Sequence, residues 1–162
     1  MALSNLDRMI QLAADTFATK SDPDQLDIDQ EILQKLRSMH PATVSEFNDE
    51  NGPVAWILLI PTTVELMNRF LKNEISEKEL FYLTPAGIVY DALYLCSALV
   101  IDEYRRKGIA KNLAVNAIKN ICADFPVKAL FAWIFSKEGD WTSETIARLT
   151  SLPLYKRIKY HD

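Results

Sequence analysis

Apolar residues recur along the chain at spacings that predict alternating strands and helices. Tyr94–Val100 is an almost continuous apolar run, which is typical of a strand covered on both faces. One apolar stripe at helical spacing follows it, formed by Ala110, Leu113, Ala114, Ala117, Ile118 and Ile121. Val127–Phe135 then predicts another buried strand. Because a helix joins the two strands, we expect them to be adjacent and parallel.

The remaining segments predict further helices and a β-hairpin. The predicted hairpin strands are Ala42–Asn48 and Pro53–Ile60, and Asn51-Gly52 between them is the strongest turn signal in the chain. Helices are predicted over Ser4–Lys20, Asp24–Met39, Val64–Lys72, Ser76–Tyr82 and Thr142–Leu152, with a polar loop at Ser136–Trp141 before the last. The two helices within residues 64–82 are interpreted as a substrate lid or as an elaboration that covers the sheet.

Length and composition describe one domain over residues 1–162. The chain is 49% apolar and 25% charged, as in globular proteins, and its net charge of −4 argues against a general nucleic-acid binder. The longest pure apolar run, Val54–Ile60, is too short to cross a bilayer, and the first residues lack a signal-peptide pattern. Cys96 and Cys122 predict buried thiols rather than a disulfide framework or a metal site, so we expect a cytoplasmic protein.

The turn between the first buried strand and its helix carries the candidate chemistry. Arg105, Arg106 and Lys107 stand directly before Gly108, at the predicted start of the helix. The first N–H groups of a helix have no internal partners and lie at the positive end of its dipole. A glycine there lets another molecule approach the backbone. The pattern predicts a phosphate or pyrophosphate site, although a solvated basic turn with a glycine that eases the bend would have the same composition.

The segment Val100–Ala110 resembles the acetyl-CoA signature of the GNAT superfamily of N-acetyltransferases. Arg105, Gly108 and Ala110 fill the three fixed positions of that signature. The resemblance implies a GNAT-like α/β fold, with a mixed, mostly antiparallel sheet, helices on both faces and a central parallel strand pair that splays apart around the cofactor. It further implies that the backbone N–H groups from Arg106 to Lys111, including those of Lys107, Gly108, Ile109 and Ala110, hold the CoA pyrophosphate. Leu99 and Val100 would pair through their backbone with the pantetheine arm.

A second resemblance lies near the end of the chain. Leu154–Tyr160 is similar to the closing L-Y-x-x-x-G-F stretch of the family, with Lys159 in place of the glycine. The resemblance implies that Tyr155 protonates the departing CoA thiolate, although an aromatic packing role is the alternative. Arg148 occupies a position where the family often has Asn. The strands that usually follow are absent before Asp162, so we expect a truncated fold, a partner subunit such as a second copy, or compensation by the helices over 64–82.

Together these resemblances imply transfer of an acetyl group from acetyl-CoA to an amine. A backbone N–H on the strand that ends at Val100 would hold the developing oxyanion. No base is evident: the central strand offers only Cys96 and Ser97, and Glu46 and Asp91 lie in or beside other predicted strands. The alternatives are a non-catalytic acyl-CoA-binding or interaction module on the same fold, and a structural α/β domain with an accidental basic turn.

Overall fold

Six helices surround one five-stranded sheet in the computed structural model, which describes residues 4–19, 26 and 28–158. The helices are α1 (Asn5–Thr19), α2 (Gln30–Met39), α3 (Val64–Leu71), α4 (Glu77–Leu83), α5 (Ile109–Asp124) and α6 (Lys137–Thr150). The strands are β1 (Val44–Asp49), β2 (Gly52–Thr62), β3 (Ala92–Val100), β4 (Ala129–Ile134) and β5 (Leu154–Ile158). Within the described ranges, no helix combines the length and apolarity required to span a membrane.

The sheet has an antiparallel half and a parallel half, with its strands in the order β1-β2-β3-β4-β5. β1, β2 and β3 pair antiparallel, whereas β3, β4 and β5 pair parallel. The parallel neighbours are joined through α5 and α6, as parallel connections require a crossover. The predicted α/β class is therefore confirmed, as is the mixed sheet. The resemblance implied one parallel pair, β3–β4, and the structure has a second one, β4–β5.

The pairing between β3 and β4 ends partway along both strands. Ala92–Leu95 pairs with Ala129–Ala132, but β3 continues to Val100 while the last two residues of β4 pair only with β5. A β-bulge lies at this point, because Leu58 is opposite Ser97 while Leu59 is opposite Leu95. A bulge bends its strand and increases the local twist, which turns β3 away from β4. The prediction of adjacent parallel strands that diverge at their carboxyl ends is confirmed.

Helices cover both faces of the sheet. One face, here called the α2–α4 face, packs Ile60, Tyr94, Phe131 and Trp133 against α2, α3 and α4. The other, the α5–α6 face, packs Ile57, Leu59, Leu93 and Leu130 against α5 and α6. Neighbouring residues of a strand alternate between these two faces, as strand geometry requires. α1 lies outside this arrangement and packs Met9 on Val54 and Leu99.

Helices α3 and α4 are built into the core. Their buried side chains on the α2–α4 face are Leu66, Met67, Phe70, Leu80 and Phe81. Glu77 of α4 is also buried, and its carboxylate accepts hydrogen bonds from Tyr94 Oη at 2.5 Å and from Leu26 N at 2.6 Å. Burial, followed by the neighbouring Glu77 charge, holds the pKa of Tyr94 well above its usual range. These contacts support the interpretation of the two helices as an elaboration that covers the sheet.

Two helices begin at residues other than those predicted. α2 starts after Asp29, whose Oδ1 accepts from Ile32 N; the predicted start at Asp24 lies outside the described residues. The polar loop predicted at Ser136–Trp141 was wrong, because α6 already begins at Lys137. Ser136 Oγ caps that helix by accepting from Gly139 N at 3.0 Å. Acidic residues in the first turn further favour an early start.

The edge strand β5 is held in place by Arg157. This side chain is buried, and its guanidinium lies 4.7 Å from the ring centre of Phe70 and 4.5 Å from that of Trp133. Its Nη1 donates to the carbonyl oxygen of Ile75 at 3.1 Å. A desolvated cation between aromatic faces is worth more than an exposed one. Arg157 thus ties β5 to α3, to β4 and to the segment before α4.

We expect Arg157→Ala to destabilise the fold by about 2–4 kcal/mol, because it removes both ring contacts and leaves a buried carbonyl without this donor. Equilibrium unfolding in urea measures the change. Arg148→Ala, at an exposed site on α6, is the control and should lie within about 0.5 kcal/mol of wild type. Equal effects of the two variants would contradict the role given to Arg157.

Candidate functional site

The turn between β3 and α5 contains two residues in the left-handed region. Gly108 has φ +75° and Arg106 has φ +63°. Glycine adopts such values freely, whereas an arginine there is strained. Backbone strain of this kind concentrates at functional sites, where the surrounding structure enforces it. The turn is therefore shaped by its surroundings and not by local preference alone.

The amino terminus of α5 has no side-chain cap and no acidic residue in its first turn. The other five described α-helices each begin at a side-chain cap, formed by Ser4, Asp29, Thr63, Ser76 and Ser136. In α5, the first intrahelical bond runs from Asn112 N to Gly108 O at 2.9 Å. The N–H groups of Ile109, Ala110 and Lys111 precede that bond. They have no partner within the helix and lie at the positive end of its dipole, where an anion can be bound.

Cationic side chains surround these donors. Arg105, Arg106 and Lys107 are exposed. Lys111 reaches back over the turn, so that a Cβ placed on Gly108 would lie 3.6 Å from its Nζ. Arg105 has a nearby counter-charge, Asp102, with Nε 3.7 Å from Oδ1. Because Glu103 is already paired with Arg8, the four cations are opposed by one weakly engaged carboxylate, and the turn presents net positive charge beside these backbone donors.

Distant parts of the chain hold the turn in position. Tyr104 Oη donates to Asp49 Oδ2 at 2.6 Å, and Asp49 Oδ1 accepts from Asn5 Nδ2 at 2.9 Å and from Asn51 N at 2.7 Å. The Tyr104 hydrogen bond is the main cause that lowers the pKa of Asp49. On the other side, Arg8 and Glu103 form a two-pronged ion pair, with Nη1 2.6 Å from Oε2. The turn is thereby fixed to the β1–β2 hairpin and to α1.

A cleft of about 640 Å³ begins at this turn and enters the gap between β3 and β4. Its lining includes Ala110 and Ile146, which belong to the α5–α6 side of the sheet. It also includes Cys96 and Trp133, which pack on the α2–α4 side. Side chains from opposite faces can line one cleft only where the sheet is open. The cleft therefore passes through the sheet at the point where β3 and β4 part.

Most of the predicted binding residues are brought together here. Those that line the cleft are Val100, Arg105, Arg106, Gly108, Ile109, Ala110 and Lys111. Leu99 does not line it, since its side chain is buried with Met9 and Val54. Lys107 also lies outside the lining, with Nζ 5.4 Å from the ring centre of Tyr104.

Tyr155 is not among the residues that line the cleft. It lies on β5, opposite Phe131, and is 47% exposed. Strand alternation places its side chain on the face shared with Arg157, which is the α2–α4 face. Residues 159–160 of the second family-like stretch lie outside the described residues. The catalytic role of Tyr155 stays a prediction.

The candidate bases have other partners. Glu46 accepts from Trp56 Nε1 at 2.7 Å, and Asp91 Oδ1 accepts from Val64 N at 2.8 Å. Neither residue lines the cleft. The carboxylate that does line it is Glu138, which sequence reasoning missed together with the exposed Trp141. Glu138 lies in the first turn of α6 and Trp141 directly after it, in the segment that was predicted to be a loop. The available signal was Ser136, a residue type that often caps helices.

Searches of protein-family models, of curated proteins and of solved structures found no match to this chain.

The Tyr104–Asp49 bond makes the stability of the turn depend on pH. Because the pKa of Asp49 is lowered in the folded chain, its contribution is present above the unfolded pKa of about 3.9 and is lost as pH falls through the folded value. We expect Tyr104→Phe to melt at a lower temperature than wild type at pH 7, with the gap closing below about pH 4. Thermal unfolding of both proteins across this range measures the gap; a gap independent of pH would contradict the assignment.

Proposed function

We propose that this chain is a GNAT-like acyltransferase that moves the acetyl group of acetyl-CoA to an amine. The observation that carries the proposal is the cleft through the sheet, whose entrance is an uncapped helix start surrounded by cations. A polyanionic head with a long, thin arm matches this shape and charge. CoA has that form, with its phosphates at one end and its thioester at the other. The fold class is compatible with the proposal without requiring it.

The residues present fit such a donor. The backbone N–H groups that start α5 would hold the pyrophosphate, and Arg105, Arg106 and Lys111 would add charge to each contact. β3 beyond Leu95 has no β4 partner on its open edge. Its backbone groups can therefore pair with the amides of an extended arm, as an added strand would.

The bound donor supplies an electrophilic thioester carbon for attack by the amine. A backbone N–H on the open part of β3 would stabilise the negative charge that develops on the carbonyl oxygen. Glu138, the carboxylate in the described lining, could accept the amine proton, directly or through water. As the carbon–nitrogen bond forms, the carbon–sulfur bond would break, and the released CoA thiolate would take a proton from water. The acceptor is left as an amine without further definition. Two free cysteines accord with a cytoplasmic setting, which is part of the proposal.

A non-catalytic acyl-CoA-binding module is the second candidate. It is favoured by a contrast within the cleft: the start of α5 offers several groups that could hold an anion, but few titratable side chains in the cleft could transfer a proton. Glu46 and Asp91 do not line the cleft, Tyr155 lies outside it, and Glu138 is the carboxylate that remains in the described lining. Binding alone would use the turn and the open strand edge and would need no base.

Gly108→Asp is expected to lower CoA affinity by about 100-fold or more, the loss that corresponds to two charge-assisted hydrogen bonds. The new carboxylate would stand beside the free N–H groups and repel the phosphates. Isothermal titration with CoA and acetyl-CoA measures the change.

Gly87→Asp is the matched control for this variant. Gly87 also has positive φ, +80°, but it lies outside the cleft and nothing would be within 4 Å of its new Cβ. The two variants thus share backbone strain and added charge, and only Gly108→Asp should lose binding. If both variants bind CoA as wild type does, the phosphates of CoA do not bind at the Gly108 turn.

The Tyr155→Phe variant tests whether Tyr155 acts as the predicted proton donor or only as a packing residue. Because Tyr155 does not line the cleft, we expect turnover within about twofold of wild type with any amine that reacts, and unchanged CoA affinity. A panel of primary amines and free-thiol detection provides the measurement. A fall of about 10²–10⁴-fold would instead restore the general-acid role. Binding of acetyl-CoA without turnover across the panel would favour the binding module.

A further inference from the structure

The hydroxyl of Ser97 is buried without a partner. Its Oγ is shielded from solvent and has no hydrogen-bond partner among the described residues, although Ser97 lines the cleft. Buried hydroxyls in folded proteins nearly always have a hydrogen-bond partner, and an unsatisfied one lowers stability. An unsatisfied hydroxyl in the wall of a cleft therefore indicates a group that forms its hydrogen bond with a ligand.

The β-bulge determines where this hydroxyl stands. Ser97 is opposite Leu58, so its side chain lies on the same face of the sheet as Leu58, the α2–α4 face. The cationic turn opens on the other face, beside α5. Ser97 is therefore on the far side of the opening from the anion entrance, at the position where an arm threaded between β3 and β4 would present its end.

The surroundings of Ser97 would strengthen a hydrogen bond. The side chains that line the cleft on this face include Cys96, Trp133 and Phe135, which are apolar or weakly polar. A hydroxyl donor in such a low-dielectric wall interacts more strongly than it would in water. A neutral carbonyl is a better match for it than a charged group, which the wall would not solvate.

We propose that Ser97 Oγ, turned into the cleft by rotation about the Cα–Cβ bond of Ser97, donates a hydrogen bond to the carbonyl oxygen of the donor's acyl thioester. This assignment rests on the proposed function and adds a side-chain donor to the backbone N–H groups of β3. Ser97 would orient the acyl group toward the α2–α4 face, from which the acceptor amine would approach. Its hydroxyl would also strengthen its contact as negative charge develops on that oxygen.

The test is Ser97→Ala, measured for both stability and binding. Removing an unsatisfied hydroxyl should raise the melting temperature of the free protein by about 2–4 °C. The same variant should bind acetyl-CoA about 3- to 10-fold more weakly, the loss typical of one neutral hydrogen bond, and should bind CoA as wild type does. A serine with a purely structural role would not combine a gain in stability with a selective loss of affinity.

Ser45→Ala is the matched control, because Ser45 Oγ on β1 donates to the carbonyl oxygen of Ala42 at 2.8 Å. That variant should melt at a lower temperature and bind both ligands normally. If wild type binds neither CoA nor acetyl-CoA, the proposed function fails and the Ser97 contact fails with it. If wild type binds both and Ser97→Ala binds both equally well, only the Ser97 assignment fails. Equal weakening for the two ligands would place the contact on the arm and would also overturn it.

Discussion

The point at which β3 and β4 stop pairing governs the rest of the architecture. A continuous sheet would satisfy the backbone of β3 on both edges and leave no passage between the two faces. The bulge at Cys96 ends that pairing after four residues of each strand and exposes the edge of β3 from there to Val100. Open strand edges are normally protected because they recruit other chains. Here the neighbouring β4 and the start of α6 enclose the edge, so that it becomes the wall of a cleft.

The start of α5 likewise has backbone groups without partners in the helix, and contacts from other elements hold them in place. α5 begins without a cap, and its preceding turn contains a strained arginine. Neither feature is favourable locally, and both persist because Tyr104 and Glu103 fasten the turn to the hairpin and to α1. Those fastening contacts are partly exposed, where single ion pairs contribute little stability. Their contribution is geometric, since together they fix the direction in which the free N–H groups point.

Sequence periodicity predicted much of this fold because the responsible forces are local. The stripe from Ala110 to Ile121 and the apolar strands on either side require only alternation and burial. The missed start of α6 shows the limit: a polar stretch gives no periodicity, and its helix depends on the Ser136 cap. The bulge at Cys96 has no residue signature, because it results from pairing with Leu58 and Leu59 of β2, which precede Cys96 by 38 and 37 residues and are separated from it by α3 and α4. Ser97 therefore looked like an ordinary strand serine, and only its unsatisfied hydroxyl distinguishes it.

If the cleft binds an acyl donor as proposed, recognition would depend mainly on backbone groups. N–H groups at the start of α5 and along open β3 exist for almost any side chains that preserve the turn and the bulge, so such binding would place few demands on the sequence. Proton transfer is different, because it needs a titratable side chain at one position. Of the carboxylates considered, Glu138 lines the cleft, whereas Asp91 holds the start of α3 and Glu46 holds Trp56. On the proposed function, the same scaffold would bind an acyl donor with or without transferring its group, and the difference between an enzyme and a binding module would rest on one or two side chains.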